Sequence, residues 1–177
     1  MADKKRASLI RRRSAARLAS VQALYQIELT DGHVEDVLNG FLTHRIGSHA
    51  LSPDPVREDS EIEVPLLEPD SEHLTNIVRG AWALRDELAP LVSGCLSKEG
   101  GIDRLEAVLR AILRAGVYEL SHNPETPPLV IISEYTDVAR AFYGSTEVGL
   151  VNAVLDKVAR QVRSDEMNDI GDGKKTR

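Results

Sequence analysis

One pattern limits the fold of this chain more than any other: apolar residues recur every three to four positions in six separate segments. That period is typical of an amphipathic α-helix, and half-buried strands would alternate instead. The six segments cover residues 8–30, 34–45, 71–97, 102–121, 128–142 and 145–162. Helices that each bury one stripe must pack on one another, so the pattern predicts an all-α fold, a compact helical bundle of about six to seven helices.

Prolines and polar termini set the expected helix boundaries. Pro90 lies inside the third segment and predicts a kink after Ala89, because proline removes a backbone donor. The apolar run that follows Pro128 could form a strand by propensity, but proline suits the first position of a helix, which favours a helix there. We expect residues 1–7 to be a disordered basic N-terminus, residues 8–163 a single helical domain, and residues 164–177 a disordered tail.

The composition excludes several classes of protein. Hydrophobic residues make up 42% of the 177 residues, which is typical of a globular domain. The single cysteine, Cys95, rules out an intrachain disulfide and a cysteine-rich zinc site. No apolar run approaches the ~20 residues that a membrane span needs, and the N-terminus lacks the pattern of a secretory signal. A soluble, cytoplasmic protein is the expectation.

Positive charge is concentrated at the start of the chain. Residues 1–17 hold seven Lys and Arg residues against Asp3, although the whole chain has a net charge of −6. The helix dipole disfavours bases in a first turn, so this placement works against helix stability. The conflict favours a role in binding a polyanion, and Arg11, Arg12, Arg13 and Arg17 are the candidate contacts.

Residues 47–70 interrupt the helical pattern. The segment contains four of the eight prolines and is strongly acidic, with Arg57 as its one Lys or Arg residue. Proline and like charge both oppose helix formation, so we interpret it as an acidic, Pro-rich, solvated loop insertion. A second hypothesis makes it an acidic flap that competes with RNA for the basic N-terminus.

Catalytic and metal-binding patterns are missing from the sequence. There is no Gly-rich phosphate loop and no defensible Ser/His/Asp arrangement. The five histidines show no metal-ligand spacing. His44 and His49 could join loop acids around a divalent ion, but ordinary surface histidines are favoured. We therefore expect no enzyme activity, no cofactor and no metal.

Four stretches together resemble the bacterial transcription antitermination factor NusB. They are RRRSAARLASVQALYQIEL near the start, ILRAGVYEL, PPLVIISEYTDVARAF and VNAVLDKVA. The resemblance covers about residues 10–46 and 71–163. It implies a NusB-like fold of two packed helical subdomains that binds the boxA element of ribosomal RNA leader transcripts. The implied partners are NusE, a small-subunit ribosomal protein, and the RNA polymerase antitermination complex with other Nus factors; some relatives self-associate, so a homodimer is a further possibility.

The resemblance also implies an RNA-binding surface. Its residues would be Arg11, Arg12, Arg13, Arg17, Tyr25, Arg114 and Phe142. Single-stranded RNA is bound through backbone charge and base stacking, which arginines and aromatic rings can supply. Competing interpretations are core packing for Tyr25 and Phe142, and a solvated face with a salt bridge to Glu106 for Arg110 and Arg114.

Two other functions remain open at this point. A helical domain related to NusB accompanies ribosomal RNA cytosine methyltransferases, although no strand-and-glycine segment for a methyl donor follows here. A purely structural helical protein, whose basic end only solubilises it, is the other alternative. Comparing boxA RNA with a scrambled control separates it from an antitermination factor.

Overall fold

The computed structural model describes residues 2–43, 49–53, 61–65, 67–96 and 101–172, and the all-α prediction is confirmed. Within these ranges eight helices are found. They are α1 (Ala2–Thr30), α2 (Val34–Leu42), α3 (Ser71–Ala83), α4 (Arg85–Ser93), α5 (Ala107–His122), α6 (Pro128–Arg140), α7 (Ser145–Val162) and α8 (Ser164–Asp172). A 3₁₀ turn, Ile102–Arg104, precedes α5.

Helix α5 lies at the centre of the bundle. It contacts α1, α3, α4, α6 and α7, and ten of its residues are buried. Gly116 permits close packing of α5 on α7, since a Cβ there would lie 2.9 Å from Leu155 Cδ2. The buried apolar side chains of the helices form one continuous core around α5.

Several helix boundaries differ from those predicted. Helix α1 begins at Ala2, earlier than residue 8. The third segment breaks at Leu84, and Pro90 lies inside α4. The break lets α4 turn so that its buried Leu88 and Val92 pack towards α5. Helix α5 starts late, because the chain is extended at Glu106.

The C-terminal segment is more ordered than predicted. Ser164–Asp172 forms α8, where the sequence suggested a disordered tail. Met167 is 3% exposed and belongs to the core, which gives this short helix an apolar anchor. The Arg163 guanidinium donates to the carbonyl oxygens of Asn123, Thr126 and Pro124, so it ties the start of α8 to the loop between α5 and α6.

The acidic insertion contains a small hairpin. Strands β1 (His49–Pro53) and β2 (Glu61–Pro65) pair antiparallel, with Leu51 opposite Glu63. The prediction of a loop was wrong for these ten residues. The alternation Glu61-Ile62-Glu63-Val64 is a strand pattern that the prolines and the charge concealed. The flap hypothesis stays a prediction, because residues 54–60 lie outside the described residues.

Candidate nucleic-acid interface

The first described turns of α1 carry the exposed part of the basic segment. Residues 5–11 are all exposed, so Lys5, Arg6 and Arg11 lie in solvent. None of the three pairs with a carboxylate in the described part of the chain. Lys5 and Arg6 were not among the predicted contacts, although the count of charges in residues 1–17 already included them. This end of α1 offers unneutralised positive charge to a polyanion.

Arg12 and Arg13 lie where α1 meets the rest of the protein. Arg12 donates to the carbonyl oxygens of Glu68 and Pro69, both at 3.4 Å, and the Asp70 amide donates to the Arg12 carbonyl at 3.0 Å. Arg12 therefore holds the end of the acidic insertion against α1. Arg13 is partly buried and lines a cavity between α1, α3 and α5.

The sequence analysis predicted that Arg17 lies at the surface, but the structure buries it. Its side chain is 3% exposed and donates to both Glu119 carboxylate oxygens, from Nε at 2.9 Å and from Nη2 at 2.5 Å. Its Nη1 also contacts Glu134 at 3.3 Å. Arg17 lies four and seven residues before the buried Val21 and Leu24, so it shares their helix face and points inward. This geometry argues against direct contact with RNA.

Glu119 is the centre of a buried polar cluster. Besides Arg17, it accepts from the Tyr135 hydroxyl at 3.1 Å, and His73 Nε2 lies 3.3 Å away. Burial alone would raise the pKa of Glu119, but the nearby His73 ring and the hydrogen-bonded Arg17 guanidinium outweigh that effect and lower it to about 2. The carboxylate is therefore charged at neutral pH and compensates Arg17.

Arg114 is also buried in an ion pair. Its side chain is 10% exposed, and Nη1 donates to Glu28 Oε2 at 2.9 Å. Arg110 binds the other Glu28 oxygen, so both arginines pair with α1, where the sequence predicted a bridge to Glu106. The Arg114 guanidinium also lies 5.6 Å from the centre of the Trp82 ring. Arg114 thus joins α1 to α5, and it is not free to meet phosphate.

Tyr25 and Phe142 lie on one apolar groove beside the C-terminal half of α1. Phe142 is 45% exposed, so the core interpretation was wrong for it, whereas Tyr25 is half-buried as its competing interpretation allowed. The groove has a volume of about 540 Å³ and is also lined by Leu29, Phe41 and Val108. An exposed ring on an apolar groove can stack with a base or pack against a protein.

The predicted residues therefore form two surfaces. The basic end and the groove lie on the same helix, and twelve residues separate Arg13 from Tyr25, which is about 18 Å of helix. Arg17 and Arg114 lie beneath these surfaces in ion pairs. The sequence analysis predicted one RNA-binding surface, and its division into a basic end and a groove follows from the packing of the helices.

Neither metal binding nor membrane insertion is supported by the described residues. No group of three or more His, Cys, Asp or Glu side chains among them could hold a metal ion. His44 and the His49 side chain lie outside the description. None of the helices in the described ranges has the length and apolar character that crossing a membrane requires.

Comparisons with known proteins agree on one family. The sequence profile of the NusB family matches residues 14–160. The transcription antitermination protein NusB of Rhodospirillum rubrum is 45% identical over 92% of this chain and 90% of its own length. That of Bradyrhizobium diazoefficiens is 42% identical over 88% of this chain and 87% of its own.

Solved structures share the fold. NusB from T. maritima superimposes with a TM-score of 0.68 at 24% identity, covering 88% of this chain and 96% of that one. A crystal structure of the antitermination factors NusB and NusE with double-stranded RNA gives a match with a TM-score of 0.65 at 20% identity, over 85% and 98% of the two chains. With the profile match and the identities to full-length relatives, the chain belongs to the NusB family.

Proposed function

We propose that this protein is a transcription antitermination factor that binds boxA RNA of ribosomal RNA leader transcripts together with NusE and so suppresses premature termination. Membership of the NusB family supports this proposal, because the relatives carry that activity in their names. The observation that carries it is the exposed basic end of α1 in a chain whose net charge is −6. An acidic protein gains little from such a cluster unless a polyanion binds there.

The proposed surface has two parts. Lys5, Arg6 and Arg11 contact the phosphate backbone, and Arg12 and Arg13 continue the RNA-binding surface towards the body of the protein. Tyr25 and Phe142 offer rings for base stacking, as in other proteins that bind single strands. A basic surface this small binds weakly and is sensitive to salt, which is consistent with the need for a protein partner.

The buried arginines have a different part in this proposal. Arg17 and Arg114 hold α1 against α5 through Glu119 and Glu28. They keep the basic end and the groove in fixed relation on one helix. Their substitution would therefore affect RNA binding through the fold.

The first test replaces the exposed basic residues. We expect Lys5→Gln with Arg6→Gln and Arg11→Gln to weaken binding of boxA RNA, measured by fluorescence anisotropy with and without NusE. Each lost phosphate contact lowers the slope of log K against log salt by about 0.7 for a single strand. Since these exposed side chains make no hydrogen bond or ion pair among the described residues, the fold should not change.

A control variant removes the same charge elsewhere. Arg104→Gln with Arg140→Gln and Arg160→Gln changes exposed residues outside α1. This control should keep most of the affinity and the original salt slope. Equal losses in both triple variants, or equal binding to boxA and scrambled RNA by the unchanged protein with NusE, would contradict the proposal.

A further inference from the structure

A polar cavity lies directly below the basic end of α1. It has a volume of about 500 Å³ and is enclosed by α1, α3, the C-terminal end of α5 and the loop after it. Arg13 forms part of its lining. We call it the Arg13 cavity. Its size falls within the range of about 300–1,000 Å³ that is usual for sites that hold small ligands.

The cavity has an aromatic wall that is already held in place. Tyr118 and His122, one turn apart on α5, are stacked with ring centroids 4.9 Å apart and an interplanar angle of 11°. The Tyr118 hydroxyl donates to Asn76 Oδ1 at 2.6 Å. The ring lies over Gly80, where a Cβ would come within 2.0 Å of Tyr118 Cζ. His122 is exposed, so the outer face of its ring can receive another flat ring.

The polar groups of the cavity leave hydrogen-bonding capacity unused. Arg13 Nε is buried and has no acceptor among the described residues. Buried donors in native proteins are nearly always paired, so the unpaired Arg13 Nε indicates that a ligand supplies its acceptor. Glu72 and Glu125 lie exposed in the lining and can accept hydrogen bonds.

The charge of the lining decides between a phosphate and a base. Besides Glu72 and Glu125, the lining includes Asp70 and Glu119, whereas Arg13 is its only Lys or Arg residue. Arg17 already compensates Glu119. The remaining carboxylates would repel a phosphate, but they can accept from the amino group of a base. One donor at Arg13 then suits a ring nitrogen or a carbonyl oxygen.

We propose that the Arg13 cavity receives one unstacked RNA base that carries an exocyclic amino group. This inference rests on the proposed function, and it places the backbone along the basic end of α1 while one base turns inward. The base stacks on His122, accepts from Arg13 and donates to Glu72 or Glu125. Adenine, cytosine and guanine carry this amino group, whereas uracil offers the carboxylates only its ring N3–H and should bind less well.

The test uses the full chain with NusE and a boxA RNA in which each nucleotide in turn is made abasic. We expect His122→Ala to weaken binding about tenfold, in line with the loss of one stacking contact. One abasic position should produce a similar loss, and that loss should disappear in the His122→Ala background. His33→Ala, an exposed histidine before α2, is the matched control and should bind like the unchanged protein.

A second arm tests the carboxylates. Replacing Glu72 and Glu125 by Gln together should reduce the preference for an amino-bearing base over uracil at the same position. The inference is overturned if His122→Ala binds RNA like the unchanged protein, or if its loss is the same with every abasic RNA. In either case the variants of Lys5, Arg6 and Arg11 still report on RNA binding, so the proposed function can stand while the base site fails.

Discussion

The pairing of Arg17 with Glu119 is a buried ion pair that the sequence alone does not reveal. Arg17 follows three consecutive arginines and was grouped with them, but its partner lies 102 positions away. One signal could have separated it: Arg17, Val21 and Leu24 share the spacing of one helix face, and that face is buried. The identity of the partner could not be predicted, because nothing local links Arg17 to Glu119.

Glu119→Gln should destabilise the protein strongly. The change leaves the buried Arg17 with only the more distant Glu134 as a charged partner, and breaking a buried pair costs about 3–5 kcal/mol. Urea unfolding followed by circular dichroism would measure the loss. Glu35→Gln is the control, because its ion pair with Arg79 is exposed and should matter little. A loss no greater than that of the control would show that the cluster does not support the fold.

The same residue predicts a dependence of stability on pH. The pKa of Glu119 is lowered from 4.5 to about 2 in the folded state. A lowered carboxyl pKa stabilises the fold above the unfolded value, and that contribution is lost as the pH falls from about 4.5 towards about 2. Thermal unfolding at several pH values should show a steeper decline for the unchanged protein than for Glu119→Gln. Parallel curves would contradict this assignment.

At the scale of elements, the periodicity placed most helices but not their ends. Helices α6 and α7 begin at Pro128 and Ser145 as predicted, because proline and the break at Gly144 are local signals. The break at Leu84 was missed, since it serves the packing of α4 against α5 and leaves no local mark. The hairpin was missed because proline content was given more weight than the alternation of Ile62 and Val64.

Two glycines inside helices offer a matched test of helix packing. A Cβ at Gly116 would lie 2.9 Å from Leu155 and 3.3 Å from Tyr135, both fully buried, whereas one at Gly149 meets nothing within 4 Å. We expect Gly116→Ala to destabilise by about 1–3 kcal/mol through overpacking. Gly149→Ala should stabilise by up to about 1 kcal/mol through helix propensity. Equal thermal shifts in the two variants would exclude close packing of α5 on α7.

At the scale of the whole molecule, the helices share one core. Residues from α1 to α8 belong to a single buried cluster, so the two subdomains implied by family resemblance have no separate cores. Charge asymmetry and helical class could be predicted for the whole chain from composition and period. The division of the site into a basic end and a groove could not be predicted, because it depends on how α5 and α6 pack beside α1.

A shared core predicts cooperative unfolding. Trp82 is the only tryptophan, and it contacts both Arg85 of α4 and Arg114 of α5 through its ring. Its fluorescence should therefore change at the same urea concentration as the helical circular dichroism signal. Two separated midpoints would show that the halves of the bundle unfold independently.

The exposed turns at residues 5–11 have one further consequence. No core side chain holds them, and their positive residues oppose the helix dipole, so their backbone amides should exchange with solvent faster than those of the buried half of α1. A bound transcript would cover these turns and would also neutralise their positive charges. Part of the binding free energy is then used to order residues 5–11. Protection of their amides from deuterium exchange would show which turns of α1 the RNA contacts.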